Sequence, residues 1–428
     1  MRATERSRHH CCFLWVLLVT VAWVGTPVWA EKTHGLPRYK TKYYNLYSAL
    51  NRPRTMEAAA RITRMFEEFT RRSKKFGRPQ KRLPFYLFNS LATYHVAGGQ
   101  EGSIGCFSPK LGLMAVSAGR PSAALWATMQ HEAFHQFCYT VITPSMPTWA
   151  NEGLAEYFER AIWTGDGYVP GIIPEKDLRD VRSYMNAKQL LLIDKLVRLT
   201  RKQWDEQIAD EPEAAHRNYI QSWSLIHFLI HGEDGKYVKT LDGFLTDLHG
   251  GRVQRVHRFR TTIRTLQKPY TEWWTETALT DSHRREWKAV VATLTSFLAR
   301  AHAQGQTFST AKDFLAAAGN GDLKLPTTKT RQWLPPTLLH SVLSRMMKLK
   351  QRADARELAP KEWRLELSES ESESTPRLIM VSQDGTTFTG SFRLKGGRVA
   401  AVVVRVKRPD EDEGSEPEDD GAAGEDGS

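Results

Sequence analysis

The sequence predicts an α+β protein: a small mixed sheet, then a mostly helical lobe, then a small β appendage towards the C-terminus. Three observations predict it. Strand-like apolar runs cluster before residue 118, and helical spacing dominates from about Asp177 to Trp287. Short alternating runs bounded by Asp-Gly and Gly-Gly return after Trp363. The 428 residues suffice for one large domain and a smaller one, and 41% hydrophobic with 25% charged residues is ordinary globular composition.

At the amino end, Arg2, Arg6 and Arg8 precede an apolar run from Phe13 to Val24, followed by Gly25-Thr26-Pro27-Val28-Trp29-Ala30. This predicts a signal peptide over 1–30, cut after Ala30, and an exported protein: periplasmic, envelope-bound or secreted. The run is short for a membrane span, and nothing after it could cross a bilayer. An uncleaved anchor is the alternative. Of four cysteines only Cys106 and Cys138 would remain, and a bridge between them or two buried thiols are both open.

Each element has its own signal. Arg38 to Tyr47 mixes polar and aromatic residues as a strand does. Ile62, Met65, Phe66 and Phe69 give Glu57–Lys74 a helical spacing, and Leu83–Phe88 is a second strand. A glycine-rich stretch, Gly98 to Gly102, leads into a hairpin of Ile104–Phe107 and Gly112–Ala118 turning near Pro109. It lacks the lysine and spacing of a phosphate loop. Ala123–Tyr139 reads as a helix, broken by Thr143-Pro144-Ser145-Met146-Pro147, and another helix starts near Trp149. Tryptophans 204, 223, 273 and 274 are candidates for the helical core. The predicted organisation is a main domain over 31–300, a helical extension over 301–360, an appendage over 361–408, and a disordered acidic tail over 409–428.

Charge is uneven. Net charge is +12, and ten acidic residues with no basic ones lie between Asp410 and Ser428; setting those ten aside leaves +22 on the rest. A basic body admits an anionic envelope polymer as partner. No nucleic-acid module is present, and export argues against that partner.

The chemistry sits in His131-Glu132-Ala133-Phe134-His135. On a helix, residues four apart share a face, so both imidazoles can reach one zinc ion while Glu132 acts as base on a water. A third ligand must come from a second helix. Glu152 follows His135 after 16 residues, enough for one turn and a helical return, and Glu156 and Glu159 share its helix face. Three stacked carboxylates repel unless a cation lies beneath them; a solvated acidic stripe is the alternative. Gly153 argues for the cation, because mid-helix glycine costs about 1 kcal/mol and makes sense where two helices approach closely. His227 and His231 are also four apart but lack an accompanying acidic helix; His231 before Gly232 looks like a helix end favouring a cation.

HEAFHQF followed by PTWANEGLAEYFE resembles the gluzincin (peptidase MA-like) metallopeptidases, the superfamily of thermolysin and aminopeptidase N. The resemblance implies a zincin-like domain binding one zinc per chain through His131, His135 and Glu152, with Glu132 as general base. It implies Glu156 as the carboxylate that orients a ligating imidazole. Tyr219 in YIQSWSLIHFL matches the tyrosine that donates to the oxyanion. The likeness, from about Tyr39 to Trp274, is fullest to an uncharacterised family of exported bacterial proteins. Gly112-Leu113-Met114-Ala115-Val116 stands where aminopeptidases carry G-x-M-E-N, without its amine-binding glutamate. That argues for an endopeptidase acting on a protein or peptide, with residues 112–116 as an edge strand cradling substrate. The alternative is a non-catalytic envelope scaffold.

Overall fold

The computed structural model describes residues 33–117, 123–277, 279–354, 363–369 and 375–409. The expectations for the signal peptide, for Ala118 and for the acidic tail from Asp410 fall outside these residues.

The chain begins with β1 (Arg38–Lys40), β2 (Tyr44–Ser48), α1 (Arg52–Arg72), β3 (Leu83–Phe88), α2 (Leu91–Val96), β4 (Gly105–Ser108), β5 (Gly112–Val116) and α3 (Ala123–Phe137). The single strand expected over 38–47 is a hairpin, because the Thr41 hydroxyl accepts from the Tyr44 amide at 2.9 Å and closes a turn. Apolar spacing alone starts α1 at Glu57, but the Asn51 side chain caps the Arg54 amide at 3.2 Å and Pro53 fits the first turn.

The five strands run in the order β1-β2-β3-β5-β4, with β2, β3 and β5 parallel and the outer pairs antiparallel. All six residues of β3 are buried, because both faces are covered. Leu46, Phe85, Leu113 and Ala115 join the main core with α1 and α3, while Tyr47, Tyr86, Met114 and Cys106 pack with Tyr94 on the other side. This alternation decides between two open alternatives for the cysteines and corrects one expectation for the sheet. Both cysteines are free and buried: Cys106 belongs to the second cluster and Cys138 to the main core, on opposite faces of the sheet, so no bridge forms. The expected hairpin forms over Gly105–Ser108 and Gly112–Val116, but Gly112–Val116 is an interior strand. β5 is paired with β3 on one side and β4 on the other, and all five residues are buried. The edge strand on this side of the sheet is β4, with β1 at the opposite edge.

After α3 the helix widens into a π turn over Cys138–Ile142, and α4 (Thr148–Glu159) follows Pro147. A hairpin of β6 (Ile162–Trp163) and β7 (Tyr168–Val169) leads to the helical lobe: α5 (Glu175–Asn186), α6 (Ile193–Leu196), α7 (Arg201–Asp210), α8 (Pro212–His231), α9 (Val238–His249), α10 (Val253–Thr262) and α11 (Gln267–Glu276). Trp204, Trp223 and Trp274 are fully buried in its core, with Trp273 half-buried against them. α12 (Thr280–Ala303) runs unbroken across the boundary expected at 300/301 and is followed by α13 (Ala311–Asn320) and α14 (Pro336–Asp354). The appendage is an antiparallel sheet of β8 (Arg364–Glu369), β9 (Pro376–Val381), β10 (Thr387–Lys395) and β11 (Arg398–Lys407), in the order β11-β10-β9-β8. Among the described residues, no helix is long and apolar enough to cross a membrane.

Candidate metal centre

α3 is buried along its second half because it lies between the sheet and α4; Met129, Ala133, Phe134 and Phe137 supply the apolar contacts. That packing leaves His131 and His135 facing α4, their ring centroids 4.7 Å apart. α4 in turn lies directly on α8. A Cβ on Gly153 would stand 2.6 Å from the Ser222 carbonyl oxygen, so the glycine permits the close approach that its helical position implied. The same contact brings Tyr219, one turn before Ser222, towards the site.

Glu152 projects between the two histidines. Its Oε2 lies 3.4 Å from His131 Nε2 and 3.3 Å from His135 Nε2. Two donors each about 2.1 Å from a tetrahedral zinc stand about 3.4 Å apart, so these separations suit one ion between them. Both Nε2 atoms and both Glu152 oxygens are buried without a hydrogen-bond partner. Leaving a carboxylate and two imidazoles so would cost several kcal/mol, and a shared cation removes that cost. The residues present therefore fit zinc.

The electrostatics agree. Burial raises the Glu152 carboxyl, but the charges of His135 and His131 outweigh it and hold Glu152 far below the usual carboxylate range. Burial lowers His131, yet the neighbouring carboxylates of Glu152 and Glu159 lift it well above the ordinary histidine value. Without metal, a proton on His131 does part of the cation's work.

Glu132 reaches the edge strand β4. Its Oε2 accepts from the Phe107 amide at 2.8 Å, and its Oε1 is buried with no partner. Burial pushes its carboxyl up, only partly offset by the two histidines. A carboxylate so raised is a better proton acceptor than a solvated one. The Tyr219 hydroxyl is likewise buried and unpartnered, and burial together with the Glu152 charge pushes its phenol well above its usual value. It is therefore a proton donor throughout the physiological range. Trp204 packs edge-on against its ring at 5.5 Å.

The expectation for Glu156 is corrected. His131 Nδ1 bonds Glu159 Oε2 at 2.9 Å, whereas Glu156 Oε1 is 3.8 Å away. Arg160 decides this: one turn after Glu156 on α4, it binds that carboxylate while also donating to Asp177 at 2.7 Å. Behind Glu159 lies a cavity of about 720 Å³, lined among others by Trp126, Gln130, Arg160 and Trp163. Arg201, at the start of α7 inside a Thr200/Gln203 capping box, brings its guanidinium within 3.6 Å of Glu152 Oε1. The sequence carried a signal for the box but none for that contact.

His227 and His231 form no second metal group among the described residues. His231 Nε2 meets the Tyr157 hydroxyl at 2.9 Å and its Nδ1 meets Arg285 at 3.2 Å. Burial, His227 and Arg285 hold it well below its usual value, so it is a neutral residue and not the helix-end cation expected from Gly232.

Residues 125–246 match the model of a family described as "Protein of unknown function (DUF1570)". The match runs from α3 into α9 and so spans His131, Glu132, His135, Glu152, Glu159, Arg201 and Tyr219, but neither β4 nor the appendage. No curated protein and no solved structure matches the chain.

Proposed function

We propose that this protein is an exported zinc-dependent metallopeptidase, an endopeptidase of gluzincin type, holding one zinc through His131, His135 and Glu152. The observation that carries the proposal is the set of orphaned buried atoms. Three ligand residues converge at 3.3–3.4 Å, flanked by an unpartnered Glu132 oxygen and an unpartnered Tyr219 hydroxyl. A purely structural cluster would satisfy these groups with one another.

When bound, zinc supplies Lewis acidity to a water and to the scissile carbonyl. The remaining work belongs to the chain. Glu132, with its raised affinity for protons, takes one from the water and returns it to the leaving amine. The Tyr219 phenol donates to the oxygen of the tetrahedral intermediate. Glu159 accepts the His131 Nδ1 proton, which keeps Nε2 aimed at Glu152. Because β4 is the edge strand and its Phe107 amide already reaches Glu132, an extended substrate would pair along Gly105–Ser108 and not along β5.

The test is a cleavage screen of an exported proteome with wild type against Glu132→Gln. Cleavages present only with wild type support the proposal. Identical peptide sets, with both proteins folded and zinc-loaded, would refute it.

A further inference from the structure

The appendage sheet has two unlike faces. α12 crosses one of them so closely that a Cβ on Gly390 would collide with the Thr295 hydroxyl, and Leu378, Met380, Phe388 and Phe392 are buried beneath it. The strand register then fixes what points away. Arg364 pairs with Val381, Val381 with Thr387 and Thr387 with Lys407; one pleat further, Glu366, Ile379, Thr389 and Arg405 form the next row. Arg377 and Arg393 share the same parity. The outward face therefore carries five cations against the single carboxylate of Glu366. Arg364, Arg393, Arg405 and Lys407 are exposed, and no described carboxylate forms an ion pair with Arg364, Arg393 or Arg405.

The chain leaves this sheet at Lys407, on its edge strand, and from Asp410 to Ser428 the sequence holds ten carboxylates and no cation. Nineteen residues can reach about 60 Å when extended, whereas four strands span only ~15 Å. We infer that the acidic tail, residues 410–428, docks on the basic outer face of its own appendage sheet and so competes with external polyanions for it. The covalent link makes the tail's effective concentration of millimolar order, which lets many individually weak, exposed charge pairs act together. Such an association is sensitive to salt, since screening shortens from about 30 Å at 0.01 M to about 3 Å at 1 M. None of this rests on the metal centre.

The experiment uses the full mature chain, isotopically labelled, with NMR relaxation of the tail amides around Ala422 and Ala423. At ~0.01 M salt those signals should be broadened, and at ~1 M salt they should sharpen to free-chain values. The combined variant Arg364→Gln, Arg377→Gln, Arg393→Gln and Arg405→Gln should show sharp tail signals at both salts, with circular dichroism confirming its fold. A second variant, with the ten tail carboxylates changed to amides, leaves the sheet untouched and should bind inorganic polyphosphate ~10-fold more tightly than wild type. Sharp wild-type tail signals at low salt would overturn the inference. So would broadening that persists in the arginine variant, which would put the tail elsewhere. Equal polyphosphate affinity in wild type and tail variant would mean that the face serves external polyanions alone, and would also overturn it.

Discussion

Replacing Gly153 by alanine sets two effects of opposite sign against each other. Alanine gains about 1 kcal/mol of helix propensity over glycine at an interior position. Against this, the new methyl would lie 2.6 Å from the Ser222 carbonyl oxygen, 2.9 Å from its carbon and 2.7 Å from Ile226 Cγ1. Two of these three atoms are backbone, so the clash cannot be relieved by a rotamer change. Ordinary contact begins near 3.4 Å, which requires α8 to retreat by ~0.8 Å along a helix interface buried in the main core. Overpacking of this kind costs about 1–3 kcal/mol, and contact with backbone places it at the upper end. The net expectation is a loss of about 2 kcal/mol, a fall in Tm of ~2–3 °C for a chain of this length. The matched control is Gly243→Ala on α9, where nothing lies within 4 Å and only the propensity term acts; it should leave Tm unchanged or raise it. Both are measured by thermal and urea unfolding of the metal-free protein. A Gly153→Ala protein as stable as Gly243→Ala would refute the close α4–α8 approach, and with it the account of how Tyr219 reaches the site.

Three further outcomes are expected. Glu159→Gln should weaken zinc binding by ~10–100-fold in chelator competition, and Glu156→Gln should weaken it less, because Glu156 serves Arg160 and not His131; the reverse order would restore Glu156 as the orienting group. Tyr219→Phe should lower kcat by ~100–1,000-fold with zinc content unchanged, and an unaltered kcat would remove the phenol from the reaction. Burial, with Arg285 nearby, pushes His227 down to about 3 in the folded protein. The unfolded chain therefore takes up that proton first: its stabilisation is complete above about pH 6.5 and is lost progressively as pH falls towards 3. Urea midpoints across that range should fall less steeply in His227→Gln than in wild type, and parallel curves would contradict the assignment.

What the sequence disclosed depended on how local the deciding physics is. Helical period and the four-residue spacing of His131 and His135 are local, so α3 and the face that both histidines share were legible. Gly153 was legible too, because a glycine inside a helix needs a reason. The choice between Glu156 and Glu159 was not, since both lie on one helix face and Arg160, with help from Asp177 on α5, breaks the tie. Strand order was equally hidden. The 104–118 hairpin is a local feature, but which of its strands forms the sheet edge depends on β3 pairing with β5 across an intervening helix. The same non-local packing separated Cys106 from Cys138 by assigning them to opposite faces of the sheet. Arg201 reaches Glu152 through the path of the whole α4–α7 segment, which no spacing rule encodes.

The central claim is that His131, His135 and Glu152 share one zinc ion. X-ray absorption at the zinc edge, with metal stoichiometry, tests it most directly on the purified mature chain. The expected result is one zinc per chain with two imidazole nitrogens, a carboxylate oxygen and a light fourth ligand at ~2.0–2.2 Å, no sulfur, and loss of the ion in His131→Ala. A wild-type chain that retains no zinc after loading and dialysis, or equal zinc retained by His131→Ala, would contradict it.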